Sequence, residues 1–441
     1  MAGANHDDPW EVLRTLPMGS RVELSNGKGR RWTGTVVPRS EVTGDRVVQL
    51  KLESGYNIGV RVEASFQIRL LEAPAGPTLP LPPAPSSPAG SKGAGELPWV
   101  ALLTTGGTIA SRVDYETGGV RPVKDEREIL SFYPELESAG KVRIVSVFDR
   151  LSEDITPEDW TELAHRIAEA FGQGARGVVV AHGTDTLAFT AAALSFLLVD
   201  LPGPVVLVGA QRSPDRPSSD GATNLAAAVR VAREAELGEV VVLMHAGMSD
   251  DRFAIHRGTW VRKMHSSRRD AFQSRNGPPL GHVDAGVLHL ELPVRTRASG
   301  PVRVDGPLTS DGGLLWFYPG LTPERARAFT NGLRGVVFAG TGLGHVSSGH
   351  LDWIRRATGA GQVVAMTTQC LEGNADPFVY STGRELQRAG VLYLGDLLPE
   401  TAYAKLLWAL GHATEAKAVE ALLLADVAGE FQWRHTSGGD R

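Results

Sequence analysis

The feature that most limits what this chain can fold into is the run from Glu72 to Pro98, EAPAGPTLPLPPAPSSPAGSKGAGELP. Proline, glycine, alanine and serine leave almost nothing to bury, so the run reads as an extended linker stiffened by polyproline conformations. A core must therefore be built separately on each side of it. At 441 residues the chain is long enough for two or three domains of the usual size.

Upstream, short alternating segments recur at Arg21 to Leu24, Trp32 to Val37, Val47 to Leu52, Asn57 to Val62 and Gln67 to Leu71, separated by turn residues such as Asn26-Gly27 and Ser54-Gly55. A period of two broken by such turns predicts a small antiparallel β-barrel, which at this size serves for binding or docking because it is too shallow for a catalytic cleft. Downstream, the apolar β-branched runs Val100 to Thr104, Val142 to Val147, Gly177 to Ala181, Val205 to Val208 and Val240 to Met244 read as buried parallel strands. Helix candidates lie between them: one opened by Thr156-Pro157-Glu158-Asp159 and running toward Phe171, then Ala188 to Val199 and Asn224 to Glu236. Such βα repetition implies a doubly wound parallel sheet with its ligand site at the strand C-terminal ends. The stretch from Leu292 to Gly313 is rich in proline, glycine and charge, and the pattern restarts with Leu314 to Tyr318, Gly335 to Phe338, Gln362 to Met366 and Val391 to Tyr393. The predicted organisation is a β-barrel docking domain at 1–72, the linker at 73–98, an α/β domain at 99–295 and a smaller C-terminal α/β domain at 312–430.

Composition excludes several classes. A formal charge of -5, with 22% charged and 42% hydrophobic residues, gives no bulk attraction to nucleic acid, so any RNA contact must be local or made through a partner. Apolar runs fall far short of the ~20 residues of a membrane helix. Asp7, Asp8 and Pro9 stand where an export signal needs basic residues followed by an apolar stretch. With a single cysteine, Cys370, there is no disulfide framework, and a cytoplasmic location is expected. Cys370 follows the run Val363 to Thr368 and is expected to be a buried thiol.

Glycine and threonine cluster after the first and third of these strands, in Thr104-Thr105-Gly106-Gly107-Thr108 and His182-Gly183-Thr184-Asp185-Thr186. Backbone N–H groups exposed by such glycines can hold a phosphate or a developing oxyanion. The phosphate reading finds no G-x-x-x-x-G-K-[ST], and Gly340-Thr341-Gly342-Leu343-Gly344 lacks the dinucleotide spacing. A hydroxyl nucleophile in an oxyanion pocket and a turn without chemistry both remain open on spacing alone. Taken singly, Thr108 and Thr184 read as helix caps, Lys263 as a solvated lysine, and Ser152 with Glu153 as loop. His182, His245, His256 and His265 show no metal-ligand spacing on one helix, so no metal is expected.

Thr105-Gly106-Gly107-Thr108-Ile109-Ala110 and His182-Gly183-Thr184-Asp185-Thr186 nevertheless resemble the two active-site motifs of the type I/II L-asparaginase family. The likeness continues through Val208-Gly209-Ala210-Gln211-Arg212, Ser219-Asp220-Gly221 and Asn224-Leu225, from about Trp99 to Ala428. Gly209 to Ser213, Asp215 to Asp220, Val379-Tyr380-Ser381-Thr382-Gly383-Arg384 and the upstream Leu52-Glu53-Ser54-Gly55-Tyr56-Asn57-Ile58-Gly59 look like the branch formed by D subunits of archaeal glutamyl-tRNA(Gln) amidotransferases. The resemblance implies an α/β fold: an asparaginase-like two-domain, doubly wound parallel sheet preceded by the small antiparallel β-barrel, with 99–295 as its catalytic domain.

Carried over residue by residue, the resemblance makes Thr108 the nucleophile on a side-chain amide, Thr184 and Asp185 the second threonine and its aspartate, and Lys263, counted back from Phe272-Gln273-Ser274, the family lysine. Ser152 and Glu153 match the pair that binds the substrate's α-carboxylate and α-amino groups, and Tyr115 the tyrosine assisting the first threonine. A further acidic residue from the second domain corresponds to either Glu372 or Asp376. The chemistry needs these types: a threonine hydroxyl must lose its proton to a base as it attacks, and a lysine is that base only as the neutral amine.

The implied function is a glutaminase subunit supplying ammonia for an ATP-dependent conversion of glutamyl-tRNA(Gln) to glutaminyl-tRNA(Gln). No cofactor is expected on this chain; ATP and Mg are expected on a partner E subunit (GatE-like), which is also expected to hold most of the tRNA. Homodimerisation through the asparaginase-like part, and thus a heterotetramer, is implied too. The rival readings are a free-standing L-asparaginase or glutaminase, and a catalytically inactive scaffold binding protein or RNA.

Overall fold

The structure is a computed structural model that describes residues 8–17, 19–37, 46–52, 57–72, 99–106, 111–113, 120–122, 136, 141–212 and 219–432. The linker predicted at 73–98 lies outside these. The chain divides into two compact units, one comprising Met1–Glu96, Ser111–Val123 and Arg212–Ser219, the other Leu97–Ala110, Lys124–Gln211 and Asp220–Arg441.

In the first unit, helix α1 (Pro9–Thr15), capped by the Asp8 side chain, precedes five antiparallel strands: β1 (Arg21–Ser25), β2 (Arg31–Val37), β3 (Val47–Leu52), β4 (Asn57–Arg61) and β5 (Gln67–Glu72). Their order is β4-β3-β2-β1-β5. Alternation along the strands turns Val22, Leu24, Val36, Val48, Leu50 and Val60 into one core, which Leu13 of α1 joins. The sequence predicts a barrel; among the described residues the edge strands β4 and β5 are not hydrogen-bonded to each other, so the sheet surrounds its core without closing. A separate short ribbon, Ser111–Val113 with Val120–Pro122, is also assigned to this unit.

The second unit opens with β6 (Val100–Thr104) and continues through β7 (Val142–Ser146), α2 (Pro157–Gly172), β8 (Gly177–Ala181), α3 (Leu187–Leu197), β9 (Val205–Val208), α4 (Gly221–Glu234) and β10 (Val240–His245). The pairs β7–β6, β6–β8, β8–β9 and β9–β10 are all parallel, as the buried β-branched runs predict. Beyond β10 the sheet changes character. Strands β11 (Arg252–Arg257), β14 (Gly281–Asp284) and β15 (Val287–Leu290) extend it antiparallel, giving the order β15-β14-β11-β10-β9-β8-β6-β7, while β12 (Val261–Lys263) and β13 (Phe272–Ser274) form a hairpin of their own. The connection from His245 to Arg252 is too short for a crossover helix, and positive φ at Ala285 and Gly286 makes the β14–β15 turn tight, so hairpins replace βα units.

A second, four-stranded parallel sheet runs in the order β16 (Gly312–Trp316), β17 (Gly335–Gly340), β18 (Val363–Thr368) and β19 (Leu392–Tyr393). Helices α5 (Pro323–Thr330), α6 (Leu351–Gly359), α7 (Ser381–Arg388), α8 (Pro399–His412) and α9 (Ala416–Leu424) complete the unit. Helix α3, LAFTAAALSFL, is apolar nearly all round because it is covered on every side. It packs against α8, with Phe196 stacked on Trp408 and Phe189 edge-on to Tyr403, and one core thereby spans both sheets. The predicted Thr156 start is a full capping box: Thr156 Oγ1 accepts from the Asp159 N–H, and the Asp159 carboxylate accepts from the Thr156 N–H. Cys370 corrects an expectation, since it is exposed; β18 ends at Thr368, and two residues later the chain has left the core.

Two histidines in this unit, His182 and His256, are buried. Burial pushes the His182 imidazole down to about 4, partly opposed by its bond to the Gly183 carbonyl, and burial next to His282 pushes His256 down to about 3. Both lie below the ordinary value near 6.5, so their contribution to stability is complete above about pH 6.5 and is lost as pH falls through those lower values, on the order of 3 kcal/mol for His182 and 5 kcal/mol for His256. The melting temperature should therefore fall between about pH 6.5 and pH 4. His256→Asn, which can keep the bond to Ser274 Oγ, should flatten that fall; an unchanged profile in the variant would remove His256 as its source.

Candidate active site

The C-terminal ends of β6, β7 and β8 converge. Thr105 directs both its N–H and its hydroxyl at the Ala181 carbonyl, each at 3.1 Å, and its own carbonyl accepts from the Arg150 N–H at 3.1 Å. Gly106 follows with φ of +95°, and a β-carbon there would lie 2.4 Å from the Arg150 carbonyl oxygen. Only glycine fits this turn. Thr108 and Tyr115 lie outside the described residues.

At the exit of β8, Gly183 is pressed against Ser152: a β-carbon on it would stand 2.7 Å from Ser152 Cβ. Ser152 is buried on the short turn Ser152–Asp154, its hydroxyl 3.4 Å from the exposed Glu153 carboxylate. Thr186 closes this corner by donating its hydroxyl to the Ser152 carbonyl at 2.6 Å. The serine and glutamate predicted to grip a substrate's α-groups therefore adjoin the Gly183-Thr184-Asp185 segment.

Lys263 comes from a different part of the fold. In the hairpin, Val261 pairs with Ser274, Arg262 with Gln273 and Lys263 with Phe272, so the Phe272-Gln273-Ser274 segment that locates the lysine in the sequence is the strand paired with it. Val261 and Phe272 are buried in the core and anchor the hairpin. Alternation sends neighbouring side chains to opposite faces. Arg262 goes one way, to the Glu400 carboxylate at 3.0 Å and over the Trp316 ring. Lys263 goes the other: its Nζ donates to Thr184 Oγ1 at 2.8 Å and to Asp185 Oδ1 at 2.7 Å. Its side chain is 14% exposed and that of Asp185 69%, so one partner is largely enclosed while the other faces solvent. Threonine, aspartate and lysine, 78 or 79 positions apart in sequence, thus form one hydrogen-bonded group.

Two supporting networks join motif residues to residues outside the motifs. Trp160 Nε1 donates to Thr190 Oγ1 at 2.9 Å, Thr190 is 2.9 Å from His182 Nε2, and His182 Nδ1 is 2.7 Å from the Gly183 carbonyl. With the indole as obligate donor, the chain is consistent if Thr190 donates to Nε2 and Nδ1–H donates to Gly183, the neutral tautomer that burial favours. On the other side Asn224 donates to the Gly209 carbonyl and the Asp220 carboxylate, and its own oxygen meets His245 Nδ1 at 2.7 Å; His245 Nε2 is 3.0 Å from Asp250, which Arg269 also holds. Asp220 and Asn224 were visible as motif residues; the histidine, Asp250 and Arg269 were not. Glu372 is paired with Arg275, and Asp376 accepts from the Phe378 N–H at 2.8 Å. Neither has a described hydrogen bond or ion pair to Thr184, Asp185 or Lys263. Among the described residues no cluster of three or more histidine, cysteine or carboxylate side chains could hold a metal.

Comparison with known proteins identifies the framework that carries these residues. The families described as Asparaginase, N-terminal and Glutaminase/Asparaginase C-terminal domain match residues 99–295 and 313–423, and the GatD N-terminal domain matches 16–71. The thermostable L-asparaginase from Thermococcus kodakarensis superposes with a TM-score of 0.70 at 33% identity, covering 76% of this chain and 100% of its own. L-asparaginase I from Vibrio cholerae gives 0.66 at 29%, covering 76% and 99%. Over nearly the whole length the chain is 43% identical to the D subunit of the glutamyl-tRNA(Gln) amidotransferase of Saccharolobus islandicus strain L.S.2.15, across 97% of this chain and 96% of the relative. It is 44% identical to that of Pyrococcus furiosus, across 93% of each. The chain belongs to the family of glutamyl-tRNA(Gln) amidotransferase D subunits, with an asparaginase framework carrying its threonine, aspartate and lysine.

Proposed function

We propose that this chain is the glutaminase subunit of a tRNA-dependent amidotransferase, hydrolysing glutamine to glutamate and ammonia for the conversion of glutamyl-tRNA(Gln) to glutaminyl-tRNA(Gln). The observation that carries the reading is the contact of Lys263 Nζ with Thr184 Oγ1 and Asp185 Oδ1, in a chain whose relatives bear that subunit's name.

In the first half-reaction the Thr108 hydroxyl oxygen adds to the carbon of the side-chain amide. Its proton passes through Thr184 to Lys263 in the neutral amine form and from there to the leaving nitrogen, so that ammonia departs and a glutamyl ester of Thr108 remains. Water then adds to the ester by the same proton route, releasing glutamate and restoring the hydroxyl. Backbone N–H groups near Gly107 and Gly183 stabilise the tetrahedral oxyanion, a contribution of about 3 kcal/mol for one donor in comparable sites. Asp185 orients the lysine or binds the substrate ammonium, Ser152 and Glu153 hold the α-groups, and Tyr115 assists Thr108. Glu372 or Asp376 supplies the acidic group from the second domain.

Amide formation on the tRNA-bound glutamate needs its carboxylate activated, and the sequence carries no P-loop. ATP and Mg are therefore assigned to the partner, an E subunit that also holds most of the tRNA. Two copies of this chain pairing through the asparaginase-like part complete a heterotetramer in the cytoplasm. Among the described residues no helix is long and apolar enough to cross a membrane.

Lys263→Met and Thr184→Ala should each lower kcat for glutamine hydrolysis by about 10²–10⁴-fold with little change in melting temperature, and Thr108→Ala should abolish it. Wild-type ammonia release from Thr108→Ala would overturn the nucleophile assignment. With the partner present, free ammonium should restore glutaminyl-tRNA(Gln) formation in all three variants; failure of that rescue in an intact complex would place these residues in the transfer step instead. Wild-type hydrolysis should rise when partner and glutamyl-tRNA(Gln) are added. Equal rates under all conditions would favour a free-standing amidohydrolase.

A further inference from the structure

The N-terminal module, residues 16–71, lies outside the 99–423 span matched by the two asparaginase families, and glutamine hydrolysis gives it no task. It nevertheless carries a groove of about 700 Å³, lined by Lys28, Arg30, Trp32, Arg61, Glu63 and Phe66 among others. Trp32 and Phe66 stack with ring centroids 5.7 Å apart and planes 10° from parallel, and the Arg30 guanidinium lies 5.1 Å from the Trp32 ring centre. The turn that carries Lys28 and Arg30 is held by Asn26, whose side-chain oxygen accepts from the Lys28 N–H at 3.2 Å and the Arg30 N–H at 2.9 Å. Two cations are thus fixed on one rim, and Arg61 at the end of β4 contributes a third.

None of these three cations makes an ion pair among the described residues, and Glu63 is the one carboxylate in the lining. Gathering like charges without counter-charges does not stabilise a small sheet. An anionic ligand supplies what is missing, and the flat layers of Phe66, Trp32 and Arg30 suit a ligand that is also planar and aromatic. Phosphate charge together with stackable bases is the chemistry of RNA, recognised by cationic grooves and by stacking on aromatic or guanidinium planes. A chain with a net charge of -5 contacts RNA directly only through such a local patch. We propose that this groove binds a single-stranded or looped RNA segment, its phosphates on Lys28, Arg30 and Arg61 and a base against the Arg30–Trp32 stack. That the RNA is a transfer RNA rests on the function proposed above; the binding itself does not.

The test uses the full chain, without partner, and a tRNA(Gln) transcript in filter binding over a series of potassium chloride concentrations, comparing wild type with the Lys28→Ala, Arg30→Ala, Arg61→Ala triple variant. These three side chains are exposed, so the variant should keep its melting temperature and its rate of glutamine hydrolysis. It should bind at least about tenfold more weakly, and the slope of log affinity against log salt should drop by about 2, the value for three phosphates of a single strand. Absence of wild-type binding, or equal affinity and slope in the two proteins, would overturn the proposal. So would normal RNA binding by a variant that no longer retains the partner subunit, which would make the groove a protein contact. Glutamine hydrolysis and tRNA amidation by the wild type report separately on the proposed function, so failure of one reading does not disguise failure of the other.

Discussion

The contact of Lys263 Nζ with the Thr184 hydroxyl and the Asp185 carboxylate is the one on which the candidate site depends. Enclosing a lysine costs solvation that a single solvent-facing carboxylate does not return, and Asp185 is 69% exposed, so little net stability comes from the pair. The site is held by other means. The hairpin that bears Lys263 is anchored through Val261 and Phe272 in the apolar core, while the threonine sits at the end of a central parallel strand between two neighbours of the same direction. Apolar burial positions both halves, which leaves the polar groups free to be arranged for reaction.

That division explains what was legible in the sequence. Buried parallel strands announce themselves as β-branched runs, and the Thr156 cap by its proline and acidic neighbours, because burial and capping act locally. The antiparallel extension after His245 was missed: a hairpin strand and a crossover strand differ by the length of the connection more than by composition. Cys370 was misplaced for a similar reason, since an apolar run does not reveal at which residue the chain leaves the core. Lys263 could be found only by resemblance. Nothing near it in sequence indicates that a hairpin will carry it to residues 78 and 79 positions away, although the segment used to count back to it is its own paired strand.

His182, Asp220 and Asn224 belong to the quoted motifs, but the links that join them to the rest of the supporting networks were illegible for a deeper reason. Trp160, Thr190 and His182 come from two helices and a strand end, and each is an ordinary core residue by type. Together they fix the peptide of Gly183, whose carbonyl would otherwise be free to turn within the pocket wall. Asn224, His245 and Asp250 do the same for the Gly209 carbonyl at the next strand exit. A buried histidine suits such a chain because its two nitrogens bridge a donor and an acceptor at a fixed separation.

Charge also separates the two units. The asparaginase-like unit keeps its cations engaged around the site: Lys263 with Asp185, Arg262 with Glu400, Arg269 with Asp250 and Arg275 with Glu372. In the N-terminal sheet Lys28, Arg30 and Arg61 stand along one groove with no such partner among the described residues. Ion-paired cations hold their neighbours in a fixed geometry, whereas cations without a described counter-charge leave a positive potential that can draw in a polyanion from a distance.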